Sequence, residues 1–153
     1  MHSYVFPGDL DKEIAAVGSQ PIPYMRTEEF SKINLESERI LLDLIHCQGG
    51  RTIIYTGSGT GAISAVAENY VSSKGKALVI NGGSFGRRWV SLCEYYGVPV
   101  VDFKVPFAKD IDYDELERTV EAESPEVFLC QHHETSTGQI FNLEKISGIC
   151  HRH

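Results

Sequence analysis

The 153 residues carry 14 lysines and arginines against 21 aspartates and glutamates, a formal net charge of -7, with 42% hydrophobic and 23% charged side chains. That length and balance suit one soluble domain of ordinary size. The acidic surplus excludes a broad phosphate-tracking surface for nucleic acid, yet one turn of backbone N–H groups can hold a small anion in an acidic protein.

Residues 1–25 read as irregular, broken by Pro7, Gly8, Gly18, Pro21 and Pro23. From Thr27 the apolar residues Phe30, Ile33, Ile40, Leu41, Leu44 and Ile45 recur at helical spacing, and Gly49-Gly50 closes that helix. Strand and helix then alternate. Arg51–Tyr55 reads as a strand, Gly59–Val71 as a helix, Ala77–Ile80 as a strand and Phe85–Tyr96 as a helix. Val98–Val105 reads as a strand, and Asp112 with Glu115 makes a capping box for a helix to Glu123. Glu126–Gln131 is the last expected strand, and Asn142 starts a final helix. The strands are short, apolar and β-branched, as a sheet covered on both faces requires. The expected fold class is therefore α/β, a mostly parallel sheet with helices on both faces. The final helix should lead back to another parallel strand, so the domain is expected to be incomplete.

The segment Ile53-Ile54-Tyr55-Thr56-Gly57-Ser58-Gly59-Thr60-Gly61-Ala62 reads as strand, glycine turn and helix start. Glycines admit close backbone approach, and a helix start offers unpaired N–H groups at the positive end of a dipole. Ser58 and Thr60 add hydroxyl donors. The segment is a candidate phosphate cradle, against the plainer reading of a tight turn with small residues for packing. A dinucleotide fold wants an acidic residue at the end of the next strand, where Asn81-Gly82-Gly83 stands instead. A phosphate-loop NTPase wants a Gly-Lys-Ser/Thr, and this turn has no lysine.

Two further segments follow the second and fourth expected strands: Asn81-Gly82-Gly83-Ser84-Phe85-Gly86-Arg87-Arg88-Trp89 and Gln131-His132-His133-Glu134-Thr135-Ser136-Thr137-Gly138. Ligands of open parallel sheets bind beyond the carboxyl ends of the strands, so the three segments should meet at one edge. Gly57-Ser58-Gly59-Thr60-Gly61-Ala62, Phe85-Gly86-x-Arg88-Trp89 and His132-x-Glu134-Thr135-Ser136-Thr137-Gly138 resemble, in order and spacing, the class V aminotransferases of pyridoxal-phosphate (PLP) fold type I. The branch resembled holds the serine–glyoxylate, alanine–glyoxylate and 2-aminoethylphosphonate–pyruvate aminotransferases.

The resemblance implies PLP as cofactor, with Ser58, Gly59 and Thr60 at its phosphate. It implies Phe85 stacked on the pyridine ring, and Thr135 hydrogen-bonded to the ring substituents. Glu134 and Arg88 match motif positions without a chemical role, and a buried pair or a loop anchor is the plainer reading of both. Trp89 reads as core. The resemblance further implies residues 1–26 as an N-terminal segment and 27–153 as the first part of the PLP-binding large domain. The Schiff-base lysine and the aspartate at the pyridinium nitrogen are expected beyond His153. No catalytic residue is therefore assigned among Lys12, Lys32, Lys74, Lys76, Lys104, Lys109 and Lys145, and this chain alone is expected to be inactive. Substrates implied for the family are a small amino acid and a 2-oxo acid, and the implied assembly is a homodimer. Alternatives are a non-catalytic remnant or a phosphate-ligand-binding α/β module.

Cys47, Cys93, Cys130 and Cys150 form no Cys-x-x-Cys pair, and His132 and His133, adjacent on a strand, point to opposite faces. No metal site is expected. MHSYVFPGDLDKE has no apolar signal core, and no run reaches the roughly 20 apolar residues of a membrane span. A cytoplasmic protein with reduced thiols is expected.

Overall fold

The computed structural model describes residues 10–153. The expected features at Pro7 and Gly8 lie outside them, with the rest of residues 1–9. The described residues fall into two compact units, divided between Tyr55 and Thr56.

In the first unit, α1 (Lys12–Val17) is capped by Asp11, whose side chain accepts from Glu13 N at 2.8 Å. The proline and glycine spacing gave no sign of this short helix. α2 (Glu28–Leu44) starts where expected, with Thr27 Oγ1 accepting from Phe30 N at 3.3 Å. Residues 51–55 form no strand. Their apolar side chains are open to solvent, Ile53 at 85% and Tyr55 at 68%. β-propensity expresses packing against neighbouring strands, and no described segment pairs with this one.

The second unit holds the sheet. α3 (Gly59–Asn69) and a 3-10 turn (Val71–Ser73) lead into β1 (Ala77–Asn81). α4 (Ser84–Tyr95), β2 (Val100–Lys104), α5 (Tyr113–Glu123) and β3 (Val127–Leu129) follow. A two-stranded hairpin, β4 (His133–Glu134) with β5 (Gln139–Ile140), precedes α6 (Leu143–Arg152). The strand order is β2-β1-β3, all parallel, with Ala77 opposite both Val100 and Val127.

The period of two along β1 sorts the core. Ala77 and Val79 join Ala67, Val71, Trp89, Val90 and Cys93 on the face covered by α3 and α4. Leu78 and Ile80 join Leu116, Val120, Phe141, Ile146 and Ile149 on the face covered by α5 and α6. These four β1 residues are fully buried, because side chains of a central strand alternate between two covered faces. Local signals set the helix starts: Asp112 accepts from Glu115 N at 3.0 Å and Asn142 from Lys145 N at 3.0 Å. Trp89 is core, 8% exposed, although its Nε1–H finds no acceptor.

Candidate functional site

The two helix starts that carry the sequence motifs are satisfied differently. At α3, the Ser58 hydroxyl caps the helix by accepting from Gly61 N at 3.1 Å. The N–H groups of Gly59 and Thr60 find no acceptor among the described residues. A Cβ added at Gly59 would meet nothing within 4 Å, so the backbone is unobstructed on that side. α3 joins β1 through residues 70–76 and packs on its face, so the two run in opposite directions.

At α4 the N-cap is Gly83, which has no side chain to donate to the task. The hairpin supplies the cap instead. Ser84 N donates to Ser136 Oγ at 2.9 Å, Phe85 N to Glu134 Oε1 at 3.3 Å, and Gly86 N to Glu134 Oε2 at 3.0 Å. The Ser136 hydroxyl also donates to Glu134 Oε1 at 2.7 Å, and Ser136 N to the same oxygen at 3.3 Å. The first three amides of α4 are thereby filled, and its positive end faces a carboxylate.

Glu134 is wholly buried, the sole charged side chain so placed among the described residues. Burial pushes its carboxyl up. The Ser136 hydroxyl and the Gly86, Phe85 and Ser136 amides outweigh that and hold it below the ordinary carboxylate range. The glycines around it are steric necessities. A Cβ at Gly83 would lie 2.7 Å from Glu134 Cγ and would strike the Ser136 hydroxyl; one at Gly86 would lie 2.7 Å from the Ile80 carbonyl oxygen.

Of the residues singled out from the sequence, Phe85 bonds through its amide to Glu134, and Thr135 stands in the chain between Glu134 and Ser136, which bond to each other. Phe85 is half-buried and Thr135 exposed. Ser58, Gly59 and Thr60 cap and open α3, and no hydrogen bond links them to that assembly among the described residues. Beside it, a hollow of about 490 Å³ is lined by Gly82, Gly83, Lys104, Phe107, Ser136 and Thr137, among others. Arg88 is exposed and forms no ion pair among the described residues. Sequence reasoning offered an anchoring role for Glu134 but not the helix it caps, nor the part of Ser136. The available signal was a glycine at an N-cap, which needs an acceptor from elsewhere.

No cluster of three or more His, Cys, Asp or Glu side chains fit to hold a metal ion occurs among the described residues. The four cysteines are free thiols. Burial pushes those of Cys93, Cys130 and Cys150 up, away from the thiolate form. No described helix is long and apolar enough to cross a membrane.

A family model described as Aminotransferase class-V matches residues 14–153. The chain belongs to this family. It is 32% identical over 138 residues to a serine–glyoxylate aminotransferase of Hyphomicrobium methylovorum, covering 86% of this chain and 33% of that protein. It is 28% identical over 137 residues to the small subunit of a soluble hydrogenase of Synechococcus sp., covering 88% of this chain and 35% of that one. Among solved structures, an alanine–glyoxylate aminotransferase of Nostoc sp. matches with a TM-score of 0.81 and 25% identity, covering 95% of this chain and 39% of its own. The chain spans about a third of the length of the curated relatives it matches. The parallel sheet flanked by helices is that of a partial class V aminotransferase domain, as the sequence motifs led us to expect.

Proposed function

We propose that residues 56–153 are the phosphate- and ring-binding part of a PLP-dependent aminotransferase that moves an amino group between a small amino acid and a 2-oxo acid. The observation that carries this reading is the contrast between the two helix starts. The start of α4 is occupied by Glu134, whereas that of α3 keeps the Gly59 and Thr60 amides unpaired, with the backbone at Gly59 unobstructed. An anion is favoured at the second and repelled from the first. The residues therefore fit the cofactor: Ser58, Gly59 and Thr60 would hold its phosphate, and the half-buried Phe85 ring would stack on its pyridine face. The exposed Thr135 hydroxyl would bond the ring substituents.

PLP, when bound, supplies an electron sink at the substrate α-carbon. The chain's own residues bind and orient; none of its lysines is assigned to the proton transfers that transamination needs. Lys32 pairs with Glu28, Lys76 with Glu123, and Lys74 and Lys145 lie over the rings of Tyr70 and Tyr113. We propose that these 153 residues alone bind without turning over.

Titrating the protein with PLP, while following the fluorescence of its lone tryptophan, Trp89, tests the reading. Saturable binding weakened by Thr135→Val and Phe85→Ala is expected. Absence of saturable binding would sink it, and binding of inorganic phosphate as tight as that of PLP would favour the phosphate-ligand module instead. Borohydride reduction of the complex followed by peptide mapping reads the second part. Stoichiometric labelling of one lysine, such as Lys104, which lines the hollow, would overturn it.

A further inference from the structure

The cofactor reading gives Glu134 no task, although it is a buried carboxylate with four hydrogen bonds, one residue from Thr135 and bonded to the amide of Phe85. We propose that Glu134 is a positioning residue that sets the Phe85 ring against the Thr135 hydroxyl, by fastening the first turn of α4 to the β4–β5 turn.

The inference rests on the cofactor reading above. A side chain in the first turn of a helix takes its direction from the backbone of that turn. Here the turn is held at Ser84, Phe85 and Gly86 by acceptors on Glu134 and Ser136. Thr135 stands between those two residues, so the carboxylate that orients the ring also fixes the peptide bearing the hydroxyl. Gly83 cannot take over the capping, since it lacks a side chain and any Cβ there would collide with Glu134. The turn itself is closed by Thr137 N and Gly138 N donating to the Glu134 carbonyl at 3.1 and 2.8 Å, with Gly138 at φ +71°. Main chain and side chain of one residue thus set both halves of the ring site.

A purely structural cap would cost stability and leave ligand geometry alone. The two roles separate in the full chain with Glu134→Gln and Ser136→Ala. PLP affinity, the induced circular dichroism of bound PLP, and inorganic phosphate affinity read from the Gly59 amide resonance are compared. Both variants should bind PLP about tenfold more weakly, which corresponds to 1.4 kcal/mol, and lose much of the induced dichroism. Inorganic phosphate, which reports the start of α3, should bind as in the wild type. PLP affinity unchanged in both variants overturns the inference, as does a parallel fall for phosphate. Should Glu134→Gln fail to fold, the exposed Ser136→Ala decides by the same criteria. A wild-type chain that does not bind PLP overturns the cofactor reading, and this inference with it.

Discussion

Glu134 Oε2 accepts a hydrogen bond from the backbone amide of Gly86 at 3.0 Å, across 48 residues of chain. The carboxylate therefore does for α4 what a Ser or Asp at the N-cap does for most helices. It does so from a different element, and with its own side chain inaccessible to solvent. Removing it would leave the buried Gly86 amide and the half-buried Phe85 amide without acceptors. Glu134→Ala should cost on the order of 3 kcal/mol of unfolding free energy in urea melts. A cost under about 1 kcal/mol, typical of an exposed cap, would contradict this account.

Acid should undo the same contact. The native carboxyl titrates below its unfolded value of about 4.3, so as pH falls the unfolded chain binds this proton first. The stabilisation is fully present above the unfolded value and is lost as pH falls through the native one. Melting temperatures of the wild type should drop between pH 5 and the native pKa. Those of Glu134→Gln should drop less over that window, and equal slopes for the two would count against the assignment.

Gly86→Ala opposes two effects. Alanine gains about 1 kcal/mol of helix propensity over glycine. Its Cβ would stand 2.7 Å from the Ile80 carbonyl oxygen and 2.8 Å from Asn81 Cα, both backbone atoms that cannot turn aside. Overpacking of this kind costs about 1–3 kcal/mol, so the variant should be net destabilised. A raised melting temperature would mean that α4 can retreat from β1.

Ser58→Asp separates capping from ligand binding. Aspartate is as good an N-cap as serine, so the melting temperature should hold, whereas Ser58→Ala should cost about 1 kcal/mol. The added negative charge before the Gly59 and Thr60 amides should nevertheless weaken phosphate and PLP binding at least tenfold, measured by calorimetry. Unchanged affinity in Ser58→Asp would remove the phosphate from the start of α3.

The alternation of strand and helix, and the caps at Asp112 and Asn142, were legible in the sequence because each rests on neighbours within a few residues. The Ser58 turn and the Phe85 and Thr135 segments were legible as motifs. Three features were not. Residues 51–55 have strand composition, yet pairing is a property of two segments and composition belongs to one. The β4–β5 hairpin has only two residues per strand, too few for a period to register. The Glu134 cap depends on a contact with a glycine-capped helix far away in sequence, which local reading cannot reach.

The borrowed cap also bears on the order of assembly. α4 precedes its acceptors on the growing polypeptide, so its leading amides can bond only to water until residues 133–136 have emerged and docked. Closing so large a loop is entropically costly, and contacts of such sequence separation form late. The ring-facing corner should therefore mature after the β1 sheet core has collapsed, and hydrogen exchange at Phe85 and Gly86 should acquire protection last.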